Sequence, residues 1–149
     1  IFVLMPKFQL DWEVECDFEL FGVGSHVGSH RLAWELNKIF GWQLAYERQL
    51  TITTKKSTSV HIVHRYKDEE DGLDVALILN RVPEGVLADG MAQLDYLLRV
   101  RFGFMGEKDI IHKIRESNVV TLVTYTDPEK SGALEAMFEL DIELDKKKK

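Results

Sequence analysis

Hydrophobic and polar residues alternate strictly near the start of the chain. In FQLDWEVECDFEL, residues 8–20, one parity carries seven apolar side chains and the other carries five carboxylates. This alternation is typical of a strand with one buried and one exposed face. The carboxylates are compatible with a ligand site or with an ordinary solvent-facing surface. We favour the surface, because same-face residues of a strand are about 7 Å apart, too far to surround one cation.

Basic residues are predicted to balance this acidic face. Arg99 and Arg101 alternate along one later strand, and His61, Arg65 and Lys67 lie along another. Ion pairs across neighbouring strands contribute from a few tenths to about 1 kcal/mol each and help to fix the register. The five carboxylates therefore indicate the wet face of a sheet more than a binding site.

A Gly/Ser/His-rich segment, GVGSHVGSH at residues 22–30, precedes the first helical pattern. Its glycines lack the spacing of a phosphate-binding loop, so we expect a turn that ends in a helix cap, with Ser25 or Ser29 as the capping residue. The helix follows in RLAWELNKIFG at residues 31–41, and Gly41 predicts its C-terminal end.

The central part of the chain contains a series of strand patterns. Strands are predicted at about 49–54, 57–66, 73–80, 93–102 and 119–126, with a helix at 107–118. Successive strands without an intervening helix imply hairpin connections. The pattern predicts an α+β fold: a mostly antiparallel sheet of about five to six strands, with two or three helices on one face.

The end of the chain gives two further signals. Asp127 and Pro128 predict the N-cap and first residue of a short helix. After them, FELDIELD at 138–145 repeats the acidic alternation of the opening, which predicts either an added strand or a tail that orders only against another surface. Two such acidic strands should not be neighbours, because like charges opposite each other destabilise a sheet.

Length and composition favour one domain in the cytoplasm. The chain has 149 residues, of which we expect 5–145 to form a single α+β domain, 1–4 to be an upstream remnant and 146–149 to be a basic tail. No apolar run approaches the roughly 20 residues of a membrane span. Cys16, the only cysteine, is on the apolar parity of the first strand, as expected of a buried hydrophobe in a reducing compartment.

The charge balance disfavours direct nucleic-acid binding. The net charge is −6, and it becomes −10 when the four terminal lysines are subtracted. Such an acidic body repels phosphates unless its bases are segregated on one face. We therefore expect a protein partner more than a nucleic acid.

The histidines do not form a local catalytic or metal-binding motif. His26 and His30 are four residues apart and would share a helix face if the helix began early, but no third ligand is evident. His61 and His64 differ in parity, so on a strand they point to opposite faces. We predict no metal site, no cofactor and no catalytic residues, and we favour a protein that is not an enzyme.

Trp34 is the most informative residue of the first helix. At 100° per residue it points away from the stripe of Leu32 and Leu36 and lies beside Arg31 and Lys38. Either another part of the chain covers it, with the acidic segment 138–145 as the candidate, or it is an anchor point for a partner, since Trp and Arg dominate interfaces.

Two segments, LFGVGSHVGSHRLAWELNKIFG and LDYLLRVRFG, resemble the IPExxxVDY family of small bacterial proteins. Leu94, Asp95 and Tyr96 match the end of the family signature, whereas its Ile-Pro-Glu positions fall on residues 88–90, which are Ala, Asp and Gly. The resemblance covers about residues 7–126. It implies a cytoplasmic protein of unknown activity, with a partner in RNA processing or central metabolism.

These observations lead to one principal hypothesis and two alternatives. The principal one is a non-enzymatic interaction or adaptor protein, with Arg31, Trp34, Lys38, Asp95 and Tyr96 as partner-binding residues. The first alternative is a small-molecule-binding or catalytic domain with a pocket near the Gly/Ser/His segment and the LDY strand. The second is an accessory protein for RNA processing or glycolytic enzymes. A homo-oligomer is compatible with all three.

Overall fold

The computed structural model describes residues 17–101 and 105–147. In these ranges the strands are β1 Phe18–Ser25, β2 Ala45–Thr53, β3 Thr58–Asp68, β4 Leu73–Leu79, β5 Arg81–Val82, β6 Gly85–Val86, β7 Tyr96–Arg101 and β8 Val120–Thr126. The helices are α1 Ser29–Phe40, α2 Glu107–Ile114, α3 Pro128–Ser131 and α4 Leu134–Lys147, with a short 3-10 helix at Asp89–Met91. Strands and helices are therefore mixed along the chain.

Six strands form one sheet in the order β2-β3-β4-β7-β1-β8, and each neighbouring pair is antiparallel. β2, β3 and β4 are successive hairpins, and β7 inserts between β4 and β1. β5 and β6 form a separate two-stranded ribbon. The predicted α+β class and the six-stranded antiparallel sheet are confirmed.

The sheet is covered on both faces, because its central strands are apolar at successive positions. Leu20 packs in a core cluster with residues of α4, whereas its neighbour Phe21 packs in a second cluster with residues of α1 and α2. Leu97 and Leu98 of β7 divide between the same two clusters. Two helices share one face, as predicted, and α4 adds a layer on the other face that the sequence pattern did not reveal.

The first helix ends where the sequence predicts but does not begin with the predicted cap. Gly41 adopts the left-handed conformation at φ 75°, and its N–H donates to the carbonyl of Asn37. The prediction of Ser25 or Ser29 as the cap is wrong, because Gly28 precedes the helix and no side chain caps it. Ser25 instead belongs to β1, where its hydroxyl donates to the carbonyl of Val119.

The first half of the predicted loop at 22–30 is the end of β1. Gly22 pairs with β7 on one side and β8 on the other, so its backbone is extended inside the sheet. A Cβ atom at this position would collide with the side chains of Met91 and Leu94. Glycine is needed here because neighbouring side chains pack closely against its backbone. From the sequence alone, a glycine required for close packing looks the same as a glycine required for a turn.

The prediction of a strand or tail at 138–145 is wrong, since these residues lie in α4. The segment satisfies both a period of two and a helical period, because Leu140 and Leu144 are four residues apart. Ala133 and Met137 extend the same buried stripe in the preceding turns. The short helix predicted before it is confirmed: Asp127 caps α3 by accepting from the N–H of Glu129 at 2.9 Å.

Most of the acidic row of the opening segment, residues 8–16, lies outside the described residues. Phe18 and Leu20 are buried, as their parity predicts. Asp17 accepts a hydrogen bond from Arg101 at 3.0 Å, so this one carboxylate has the predicted basic partner. Arg99, by contrast, pairs with a carboxylate from α4.

Candidate functional site

Trp34 is exposed on the outer face of α1. Its side chain is 53% exposed, whereas Leu32 and Leu36, on the inner face of the same helix, are fully buried. A helix that packs one side on a sheet places residues about half a turn away in solvent. The exposure follows from the position of Trp34 relative to that apolar stripe.

Two basic side chains flank the indole ring. Lys38 Nζ lies 4.0 Å from the ring centroid, and Arg31 Cζ lies 5.8 Å from it. Both cations also contact Glu35, with Arg31 Nε at 3.1 Å and Lys38 Nζ at 3.6 Å from its carboxylate oxygens. One carboxylate therefore contacts both cations that flank the exposed aromatic ring.

A shallow groove of about 500 Å³ borders this cluster. Its walls come from α1, through Trp34 and Ile39, and from residues 116–118, which connect α2 to β8. We call Arg31, Trp34, Lys38 and this groove the Trp34 surface. It combines an aromatic ring, two cations and a concave floor on one side of the molecule.

The acidic C-terminal segment does not cover Trp34. α4 packs on the opposite face of the sheet from α1, so the candidate cover proposed from the sequence is wrong. The carboxylates of α4 instead pair with the sheet beneath it, as Asp141 does with Arg99 and Arg101. Trp34 thus remains open to solvent.

Asp95 and Tyr96 lie apart from the Trp34 surface and have internal partners. Asp95 accepts from the backbone N–H of Ser25 at 2.9 Å and from Arg81 at 2.6 Å. The hydroxyl of Tyr96 donates to the carbonyl of Val27 at 2.7 Å, and burial raises the pKa of this phenol. Both residues tie β7 to the end of β1 and the turn before α1, so the geometry gives their predicted partner-binding role no support.

A histidine pair connects α1 to β3. His64 Nε2 lies 3.2 Å from His30 Nδ1, with the rings nearly perpendicular at 84°. His64 is buried, and among the described residues its Nδ1 has no hydrogen-bond partner. A buried N–H without an acceptor is rarer than an unused lone pair, so we assign the proton of His64 to Nε2, which donates to His30.

Sequence spacing did not predict this pair, because its members are 34 residues apart. His26, the partner considered for His30, precedes the first residue of α1, so the two do not share a helix face. Burial lowers the pKa of His64, and the nearby charge of His30 lowers it further. His64 therefore resists protonation in the folded protein.

His61 lies on the opposite face of β3 from His64, as parity predicts. Its Nδ1 lies 2.7 Å from the carbonyl of Leu79, and its Nε2 lies 2.7 Å from the hydroxyl of Ser59. A serine beside a histidine suggests a nucleophile and its base, but His61 is fully buried and both ring nitrogens are engaged. The two side chains satisfy each other in the interior, with no access for a substrate.

A buried charged cluster links the sheet to α4. Arg99 is fully buried and bonds Asp141 at 2.8 Å, while Arg65 forms a two-point contact with Asp74 at 2.9 and 3.1 Å. Burial alone would raise the pKa of Asp74, but the bonds from Arg65 lower it overall. Arg65, Asp74 and Asp141 of this cluster line a cavity of about 570 Å³.

Within residues 17–101 and 105–147, no group of three or more His, Cys, Asp or Glu side chains could hold a metal ion. In the same ranges no helix combines the length and apolar character needed to cross a membrane. The sequence matches no protein-family model, and comparison with the curated proteins gives no match. Membership of the IPExxxVDY family stays a prediction.

Proposed function

We propose that this protein is a non-enzymatic interaction or adaptor protein that binds a protein partner through the Trp34 surface. The observation that carries the proposal is a 53% exposed tryptophan held between two basic side chains. Tryptophan and arginine are the residues that contribute most to binding at interfaces.

The contacts around Trp34 support a preorganised anchor. Lys38 lies over the ring, and cation–π contacts at exposed sites contribute about 0.5–1 kcal/mol. Glu35 holds both cations through its ion pairs on the same helix face. A side chain already confined in the free protein loses less conformational entropy when a partner binds.

The charge of the surface suggests the chemistry of the partner. Arg31 and Lys38 place two positive charges beside Trp34, and Glu35 and Glu116 add two carboxylates to the same surface. A partner segment with an apolar side chain for the groove and a carboxylate for the cations complements this arrangement. Nucleic acid fits less well, because the acidic remainder of the chain would repel its phosphates.

The proposal retains the cytoplasmic location expected from the sequence and the family resemblance. Partners in RNA processing or central metabolism belong to the proposal only through that resemblance. A small-molecule pocket near Asp95 and Tyr96 is not favoured, since both polar groups are occupied by internal hydrogen bonds.

The test is affinity purification of the tagged protein from its own cells at two salt concentrations, followed by reconstitution with any purified partner. Trp34→Ala and Lys38→Glu should each abolish binding. Tyr46→Ala is the matched control, because Tyr46 is also 53% exposed but lies on β2. A partner that binds all three variants equally would refute the assignment of this surface.

A further inference from the structure

A second open cavity lies beside α4, on the face of the sheet that α1 does not cover. It has a volume of about 620 Å³ and is bordered by α4 and by residues 51–54, where β2 ends. Ile52, Leu87 and Ala136 contribute apolar side chains to its lining. We call this cavity the α4 groove.

α4 presents two rows of side chains along the groove. Phe138 and Ile142 are four residues apart, and they are 38% and 51% exposed. Glu135 and Glu139 have the same spacing and are also exposed. Residues four apart lie one above the other on a helix, so an apolar row runs beside an acidic row.

The carboxylates of the groove have no basic partner among the described residues. Asp89, in the short 3-10 helix, adds a third carboxylate to Glu135 and Glu139. None of the three forms an ion pair within residues 17–101 and 105–147. Lys55 and Lys56 follow β2 in the next turn but do not line the groove. The described lining is therefore apolar and acidic, without a base.

We propose that the α4 groove binds a segment of a protein partner in which a lysine or arginine lies next to apolar side chains. The apolar side chains of such a segment cover Phe138 and Ile142, and its cation lies between Glu135 and Glu139. Like charges four residues apart destabilise a helix, and exposed apolar side chains are unfavourable in water. One occupant of this chemistry removes both costs.

The same charges disfavour the other classes of occupant. Nucleic acids and anionic lipids present phosphates, which the three carboxylates repel. A second copy of the groove presents the same carboxylates, so two copies facing each other about a twofold axis would repel. Complementary charge determines which partners a surface accepts, and here it selects a basic segment.

The dimensions of the groove indicate a short segment. From Glu135 to Ile142, α4 rises by about 10 Å, which equals the length of about three residues of an extended peptide. A contact of this size is at the weak end of protein interfaces. It does not use Trp34, so this proposal stands or falls apart from the adaptor function.

The test begins with selection of random peptides, displayed on phage, against the immobilised full chain. Enriched peptides should carry lysine or arginine next to apolar residues. Fluorescence anisotropy then measures the binding of a synthetic copy of the most enriched peptide to purified variants. Glu139→Lys should raise its dissociation constant by about tenfold, because the substitution turns an attraction into a repulsion. Circular dichroism of each variant checks that the fold is retained.

A charge exchange separates direct contact from structural damage. The same peptide with glutamate in place of its basic residues should bind Glu139→Lys more tightly than it binds the wild type. Glu70→Lys is the matched control, because it makes the same substitution in the exposed turn between β3 and β4. Glu70→Lys and Trp34→Ala should both bind the original peptide like the wild type.

Several results would overturn the proposal. These are a selection without enriched peptides, enriched peptides without a basic residue, Glu139→Lys that binds like the wild type, or a charge exchange that restores nothing. Loss of binding in Trp34→Ala would assign the peptide to the Trp34 surface instead. A wild-type dimer in sedimentation equilibrium that Ile142→Glu dissociates would make the groove a contact between copies of this chain, which also contradicts the proposal.

Discussion

Arg99 and Asp141 join the centre of the sheet to the C-terminal helix through a hydrogen bond of 2.8 Å between a fully buried guanidinium and a partly exposed carboxylate. Arg99 Nε and NH2 have no hydrogen-bond partner among the described residues. Burial lowers the pKa of Arg99, in the direction expected when a cation loses its water. Removing Asp141 and removing Arg99 should therefore have different effects on the free energy of unfolding.

Removing the carboxylate should be costly. Asp141→Asn leaves Arg99 buried with no anionic hydrogen-bond partner, and an uncompensated buried charge costs about 3–5 kcal/mol. The free energy of unfolding, measured by urea denaturation, should therefore fall by about 3–5 kcal/mol. Glu139→Gln, at an exposed position of the same helix, is the control and should change it by less than about 0.5 kcal/mol. Equal effects of the two substitutions would show that Arg99 does not depend on Asp141.

Removing the guanidinium should be much less costly. Arg99→Met replaces a poorly satisfied buried cation with an apolar side chain of similar length, and such replacements are often neutral or stabilising. Asp141 would keep its contact with Arg101 at 3.1 Å. We expect a free energy of unfolding within about 1 kcal/mol of wild type, or higher. A loss as large as that of Asp141→Asn would mean that Arg99 contributes net stability.

Local signals predicted the elements whose boundaries depend on neighbouring residues. Gly41 ends α1, and Asp127 with Pro128 begins α3, because caps act within one turn of the helix. The secondary structure of segment 138–145 was predicted wrongly, because the spacing of its apolar residues fits both a strand and a helix. Its true state is set by the second apolar face of the sheet, which only the assembled fold defines.

The candidate site likewise has features that local sequence predicts and features that depend on residues far away in the chain. The sequence predicted that Trp34 is either covered by another segment or exposed. This prediction was possible because it depends only on the angular position of Trp34 around its own helix. The roles of Asp95 and Tyr96 were not, since their hydrogen-bond partners Ser25 and Val27 are 70 and 69 residues away. The pairing of Arg99 was missed because it depends on the helical state of α4.

The exposure of Trp34 also predicts how the fold tolerates its loss. Trp34→Ala should lower the free energy of unfolding by no more than about 1 kcal/mol, the size of an exposed cation–π contact. Leu36→Ala, which truncates a fully buried side chain on the same helix, should cost about 2–5 kcal/mol. If Trp34→Ala is as destabilising as Leu36→Ala, Trp34 is a core residue and not a binding anchor.

The buried histidines predict that stability falls on mild acidification. The pKa values of His61 and His64 are both lowered, chiefly by burial, so the unfolded chain binds protons that the folded chain does not. Their contribution is complete above the unfolded pKa of about 6.5 and is lost as the pH falls below it towards the folded values. Each histidine contributes at most about 1.4 kcal/mol per pH unit in that window.

Urea denaturation at intervals between pH 7.5 and pH 5 measures this slope. His64→Gln should reduce the slope by the equivalent of up to one proton, because glutamine does not titrate. His112→Gln is the matched control, because it removes an exposed histidine of α2 by the same substitution. A wild-type stability that is flat across this interval would contradict the prediction, because it would show that His61 and His64 protonate in the folded protein as readily as in the unfolded chain.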